Sequence, residues 1–165
     1  MPRHKASPDL RHALIPDSIC HFTLHVSDTQ RSTDFYQNVF GLPVQAHQGA
    51  MALLAVGANR QFVAMAGLNT VLQGLPHIGH GCFTMEGFNP DRVMKLLAGY
   101  GIRPRGSAVG PPGPMVSYVT MRMEDRGGAK GGTPGLYFTD PDGILMQIQD
   151  AKYCGGAGYL GEVCP

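Results

Sequence analysis

Charge is scarce in this chain. Of its 165 residues only 15% are Asp, Glu, Lys or Arg, and the formal net charge is +1. Recognition of nucleic acid needs a concentrated basic face, so that class of partner is not expected. Long apolar runs are also missing: none approaches the roughly 20 residues that span a bilayer, and no membrane partner is expected. The opening stretch, MPRHKASPDLRHALIPDS, has no apolar h-region, so no signal peptide is expected. The expected location is the cytoplasm, with an exported mature protein as the alternative. No C-x-x-C pair occurs among Cys20, Cys82, Cys154 and Cys164, which argues against a zinc knuckle. Cys20 and Cys82 lie in apolar strand contexts, as buried thiols do. Cys154 and Cys164 bracket YCGGAGYLGEVC, and a disulfide between them would go with an oxidising compartment. The stretch RGGAKGGTPG, Arg126 to Gly135, lacks the G-K-[ST] ending and a following helix, so it is not a Walker A loop. It reads instead as a mobile lid, with Lys130 as an anion contact.

What the chain has in plenty is glycine, 23 residues, about twice the usual ~7%. Apolar runs remain between the glycines, so a folded domain with long Gly/Pro-rich loops is expected. The chain also contains a repeat. HFTLHVSDTQRSTDFYQNVFGL begins at His21 and HGCFTMEGFNPDRVMKLLAGYGI at His80. Each begins with His, runs as a short strand, turns through polar residues and enters a helix that stops near a Gly. The first helix, Thr29 to Phe40, carries Phe35, Tyr36, Val39 and Phe40 at helical spacing. The second, Asp91 to Tyr100, carries Val93, Leu96 and Leu97. Candidate strands follow at Met51–Val56 and Gln61–Ala66, then at Val116–Met123 and Ile144–Gln149. The order reads βαβββ twice.

Two stretches, HFTLHVSDTQRSTDFYQNVFGL and LYFTDPDGILMQ, give the chain a resemblance to the vicinal oxygen chelate superfamily, the glyoxalase, bleomycin-resistance and extradiol-dioxygenase proteins. The likeness covers about residues 19–150. It implies an α+β fold in which two βαβββ modules form a cupped mixed sheet around a central cavity with a divalent metal. Module one would span about 19–68 and module two about 76–150, with an N-terminal extension over 1–18 and a Gly-rich tail over 151–165. The family's first strands often supply His ligands, and the strand after D-P-x-G ends on a Glu ligand. Carried over by position, these are His21, His80 and Gln147. The last departs from the pattern, because an amide stands where a carboxylate is usual. The last strand of module one, another place for a family ligand, offers only Gln61 at its start. The family commonly dimerises, so a homodimer is expected.

Strand alternation supports a cavity independently. His21, Thr23 and His25 share one face, and Phe22, Leu24 and Val26 the other. His80, Cys82 and Thr84 share a face, as do Gln147 and Gln149. Polar faces opposite apolar ones suit a sheet with helices behind it and a polar cavity in front. Two imidazoles and one oxygen donor with open positions are the layout of non-haem Fe(II) and Lewis-acid sites. Gln147 is either that oxygen donor or a hydrogen-bonding residue for substrate or backbone. His25 reads as a proton-moving or substrate-facing residue, and His77 as a loop residue. Tyr153, six residues after Gln147, lies where it can fold back over the site as a second proton-moving group. Cys82, Gln149, Arg122 and Lys130 complete the candidate substrate contacts, with a surface position as the alternative for Arg122.

The expected function is a metal-dependent enzyme on a small oxygenated substrate, aromatic or phenolic among the candidates, that chelates the metal. Fe(II) is the first expectation and would go with dioxygenation. Zn, Ni or Mn would suit glyoxalase-type isomerase or lyase chemistry. The reading from a different class is a metal-free protein that sequesters a small molecule such as an antibiotic.

Overall fold

The computed structural model describes residues 14–58, 61–68, 74–126, 128–151 and 153. The Cys154–Cys164 pairing, nearly all of the 151–165 tail and most of the 1–18 extension lie outside the described residues.

Among the described residues the chain forms nine strands and two α-helices. They are β1 (Ser18–Val26), α1 (Thr29–Phe40), β2 (Val44–Gln48), β3 (Met51–Ala55), β4 (Phe62–Gly67), β5 (His77–Met85), α2 (Pro90–Gly99), β6 (Arg103–Pro104), β7 (Val116–Arg122), β8 (Thr133–Thr139) and β9 (Leu145–Asp150). All nine strands join one mixed sheet in the order β2-β3-β4-β1-β5-β9-β8-β7-β6. The repeat is visible in the pairing. In each half the first strand lies parallel to the last, β1 with β4 and β5 with β9. The two first strands, β1 and β5, meet antiparallel at the centre and form the seam between the modules. The sheet curls into a cup. Met51 of β3 and Tyr118 of β7 line one cavity, although their strands are six places apart in the sheet order. In a flat sheet six spacings of ~4.8 Å would separate them by nearly 30 Å.

Local chemistry starts both helices and stops the first. Asp28 caps α1 by accepting from the Arg31 N–H, and Gly41 ends it at φ 68°, a left-handed conformation that favours glycine. Asn89 caps α2 through the Arg92 N–H, with Pro90 in the first turn, where a missing N–H costs nothing. The helices differ in what they bury. Val93 and Leu97 of α2 pack with Met85, Ile102, Leu136 and Ile148. Among the described residues of α1 only Thr33 is buried. Phe35, Val39 and Phe40 are 56%, 56% and 64% exposed, so most of the apolar spacing in the first helix faces outward.

Two segments differ from expectation. The supposed lid Arg126–Gly135 ends inside a strand, because β8 begins at Thr133 and continues the alternation Thr133, Gly135, Tyr137. His77 opens β5 and is not a loop residue; its ring stacks on His25 at 4.9 Å.

Candidate metal centre and cavity

The centre of the sheet builds the site. His21 stands on β1, His80 on β5 and Gln147 on β9, three adjacent strands. His21 Nε2 lies 3.1 Å from His80 Nε2, and His80 Nε2 lies 3.1 Å from Gln147 Oε1. Thr23 Oγ1, paired across the seam with His80, is 3.4 Å from the same nitrogen. One nitrogen therefore faces three polar atoms, more than a single lone pair or proton can serve.

Neighbours fix both rings. His21 stacks on Phe62, its register partner in β4, at 4.5 Å between centroids and 11° between planes. His80 meets the edge of Tyr137 at 5.3 Å. Burial is the chief cause that holds the pKa of His21 well below the ordinary 6.5, helped by the charges of His80 and Arg122. Burial likewise lowers His80 to about 4, against the opposing hydrogen bond from Gln147. Both imidazoles are thus neutral at physiological pH, the form that ligates a metal.

A cavity of about 370 Å³ opens over this group. His25, Arg122, Gln149 and Tyr153 line it beside His21, His80 and Gln147. His25 Nδ1 is 3.2 Å from the Gly67 carbonyl, which can only accept, so in the neutral ring Nδ1 carries the proton and Nε2 the lone pair. A Cβ at Gly79 would fall 2.5–2.6 Å from this ring, so a larger residue there would force the imidazole to shift. Tyr153 Oη accepts from Gln48 Nε2 at 2.9 Å and from Arg122 Nη1 at 2.6 Å, and the guanidinium sits 4.6 Å over the ring. Burial pushes Tyr153 up to about 12 despite Arg122, so its phenol keeps its proton at neutral pH. Gln149 is 4% exposed, and its Oε1 has no hydrogen-bond partner among the described residues.

Two sequence candidates stand apart from the lining. Lys130 is exposed in the loop before β8 and does not line the cavity. Cys82 is 0% exposed and lies in the apolar cluster with Cys20, Phe62 and Ala64, beneath the lining. Burial pushes its thiol well above the usual range. Gln61 precedes β4, whose cavity side chains are Phe62, Ala64 and Ala66, so this strand brings no donor to the site. Tyr118 and Tyr137 are lining residues that sequence reasoning did not single out. Their signal was period-2 spacing, Tyr118-Thr120-Arg122 on β7 and Gly135-Tyr137 on β8. Gly135 has a reason of its own: a Cβ there would stand 2.8 Å from the side-chain nitrogens of both Gln147 and Gln149.

The donor set fits a divalent ion. Ligand atoms about 2.1 Å from one ion and at right angles to each other stand about 3.0 Å apart. The two 3.1 Å separations match that spacing, and the donors are two neutral imidazoles and an amide oxygen.

Comparison with solved structures finds the same architecture elsewhere. A methylmalonyl-CoA epimerase from Mycobacterium tuberculosis aligns over 86% of this chain and 95% of its own, with a TM-score of 0.58 and 18% identity. A Mn(II)-bound glyoxalase from Novosphingobium aromaticivorans aligns over 85% of this chain, with a TM-score of 0.54 and 18% identity. The 2,3-dioxygenase LapB from Pseudomonas sp. KL28 aligns over 87%, with a TM-score of 0.62 and 16% identity. Residues 18–57 match the family model described as bleomycin resistance protein-like N-terminal. The chain has the vicinal oxygen chelate fold. It spans 42% of that glyoxalase chain and 43% of that dioxygenase chain. No curated protein matches it by sequence. Within the vicinal oxygen chelate fold, β1, β5 and β9 carry His21, His80 and Gln147 to the lining of the cup. No described helix is long and apolar enough to cross a membrane.

Proposed function

We propose that this chain is a metal-dependent enzyme acting on a small oxygenated substrate, with a divalent ion held by His21, His80 and Gln147. The observation that carries the reading is that His80 Nε2 stands 3.1 Å from both His21 Nε2 and Gln147 Oε1. A divalent ion there supplies Lewis-acid polarisation of a substrate oxygen. Fe(II) and Mn(II) suit the mixed nitrogen and oxygen donors, and a Mn(II)-bound glyoxalase shares the fold.

The chain's own groups do the rest. Among the described residues no Asp or Glu lines the cavity, while Arg122 does. A neutral donor set leaves the ion's full +2 uncompensated, so the reading favours a substrate that brings negative charge, such as a carboxylate or an acidic phenol. His25 Nε2 offers the lone pair that takes a proton from it. The Tyr153 phenol donates a hydrogen bond, fixed in place by Arg122 and Gln48. Gln149 Oε1 accepts from a substrate hydroxyl or amine. Dioxygenation is the favoured reaction, with isomerase or lyase chemistry as the competitor. Metal analysis after purification without chelators tests the reading: about one ion per chain is expected, and no bound metal with no uptake on titration would overturn it.

Gln147→Glu gives a second measurement. It preserves size and adds a charge-assisted donor, so affinity for Mn(II) should rise by about tenfold. Gln149→Glu, ~7 Å further along the strand, should change it much less. Equal effects from the two variants would remove Gln147 from the ligand set.

A metal-free binding protein is the second reading. It is favoured by the bleomycin resistance-like match over residues 18–57 and by the Gln147–His80 hydrogen bond, which pairs these two atoms without an ion. A homodimer belongs with either reading, because Phe35, Val39 and Phe40 form an exposed apolar stripe on α1. Light scattering should give about twice the 17.7 kDa chain mass at micromolar concentration; a value of one chain mass would exclude the dimer.

A further inference from the structure

Simple alternation would send Cys20 and His21 to opposite faces of β1. The pairing of β1 with β5 shifts register between Ile19 and His21, a bulge that leaves one extra residue on β1. As a result both side chains point inward. Cys20 is 2% exposed and packs with Phe62 and Ala64, which themselves line the cavity. Cys82, register partner of His21, completes the arrangement from β5. The two sulfurs and one ring nitrogen of His21 all lie within 4.8 Å of one another. His21 Nδ1 is 3.4 Å from Cys20 Sγ, close to the roughly 3.5 Å between nitrogen and sulfur ligands of one tetrahedral zinc.

We propose that Cys20, Cys82 and Nδ1 of His21 form a second cation site, for a thiophilic divalent ion of the zinc class, and that it competes with the cavity site for His21. The existence of the thiol site stands on its own geometry; the competition rests on the metal-enzyme reading above. Binding replaces two thiol protons by one M²⁺ and releases two H⁺ to solvent. Two thiolates and one M²⁺ sum to zero charge, which a fully buried position requires. Thiolate also selects zinc-like ions over Mn(II), which prefers oxygen.

The competition follows from the imidazole. A neutral ring has one lone pair and one N–H. Coordination through Nε2 in the cavity puts the proton on Nδ1, beside the Cys20 sulfur. Coordination through Nδ1 puts it on Nε2, facing His80 Nε2 at 3.1 Å. His21 cannot serve both ions while neutral, so a thiophilic ion in the inner site disables the outer one without entering the cavity.

The test uses the full chain, first with Co(II) and then with Zn(II) against Mn(II). Co(II) should give a sulfur-to-cobalt charge-transfer band in the near ultraviolet that saturates at one ion per chain. Absence of that band in the parent overturns the inner site without recourse to any variant. Cys20→Ala and Cys82→Ala should each lose the band, whereas Gln147→Ala should retain it; a band surviving in both cysteine variants also overturns the site. Mn(II) binding, followed by electron paramagnetic resonance of the free ion, should weaken about tenfold or more on adding one equivalent of Zn(II) in the parent. It should weaken much less in Cys20→Ala, and equal displacement in the two overturns the competition. A parent that shows the cobalt band but never binds Mn(II) keeps the inner site and rejects the outer reading. A parent that binds Mn(II) without a cobalt band does the reverse.

Discussion

Replacing His80 with alanine should weaken divalent-metal binding by about 100-fold or more. Loss of an outer-sphere partner alone typically costs 10–100-fold, and in the proposed site His80 is a direct ligand. Its Nε2 also holds the other groups in position, since His21, Thr23 and Gln147 all approach that one atom within 3.1–3.4 Å. Removing it leaves Gln147 Oε1 without its hydrogen bond to His80 and opens a gap beside the Tyr137 ring, 5.3 Å from the imidazole. Thr23→Val, which deletes only the 3.4 Å contact, should cost far less. Mn(II) titration of the parent and both variants measures the ranking. Parent-like affinity in His80→Ala would mean that no ion sits between the two histidines.

Acid should destabilise the metal-free protein well before its carboxylates titrate. His80 has a folded pKa of about 4 and an unfolded value near 6.5. Above pH 6.5 both states are neutral there and the group contributes no slope. Between 6.5 and 4 the unfolded chain binds a proton that the folded chain refuses, so stability falls as pH falls. At about 1.4 kcal/mol per unit, discounted for partial exposure, His80 alone accounts for about 2–3 kcal/mol by pH 4. His21, depressed by burial in the same direction, adds to the loss. Urea midpoints at pH 7 and pH 4.5 should therefore separate strongly in the parent and less in His80→Ala. Identical pH dependence in the two proteins would contradict a buried neutral imidazole at this position.

Much of this architecture was legible because it is repeated. His21 and His80 begin equivalent strands, and the same topology carries both to the seam. Gln147 was legible from the turn that precedes it, since Asp140 Oδ1 accepts from the backbone N–H groups of Asp142 and Ile144 and so sets the start of β9. Less visible were β2, the two-residue β6 and β8. Glycines and prolines punctuate these segments, and pairing with neighbours makes them strands more than local propensity does. The inward turn of Cys20 was not legible at all, because a bulge depends on the register of two strands 60 residues apart in sequence and leaves no periodicity to read. The outward face of α1 was missed for a related reason. Helical spacing of Phe35, Tyr36, Val39 and Phe40 defines a stripe but not its direction, and Thr33 took the buried position.

The seam has a mechanical meaning. His21 belongs to one half of the sheet, His80 and Gln147 to the other, and antiparallel pairing of β1 with β5 is the join. An ion held there, as proposed, would work as a clasp. Prying the halves apart would first require releasing the occupant, which at 100 times its dissociation constant adds about 2.7 kcal/mol to the cost of unfolding. Neither half, cut from the other, would inherit all three of these side chains. Each would keep a cradle open on one side, with a histidine looking out across the space where its counterpart had been.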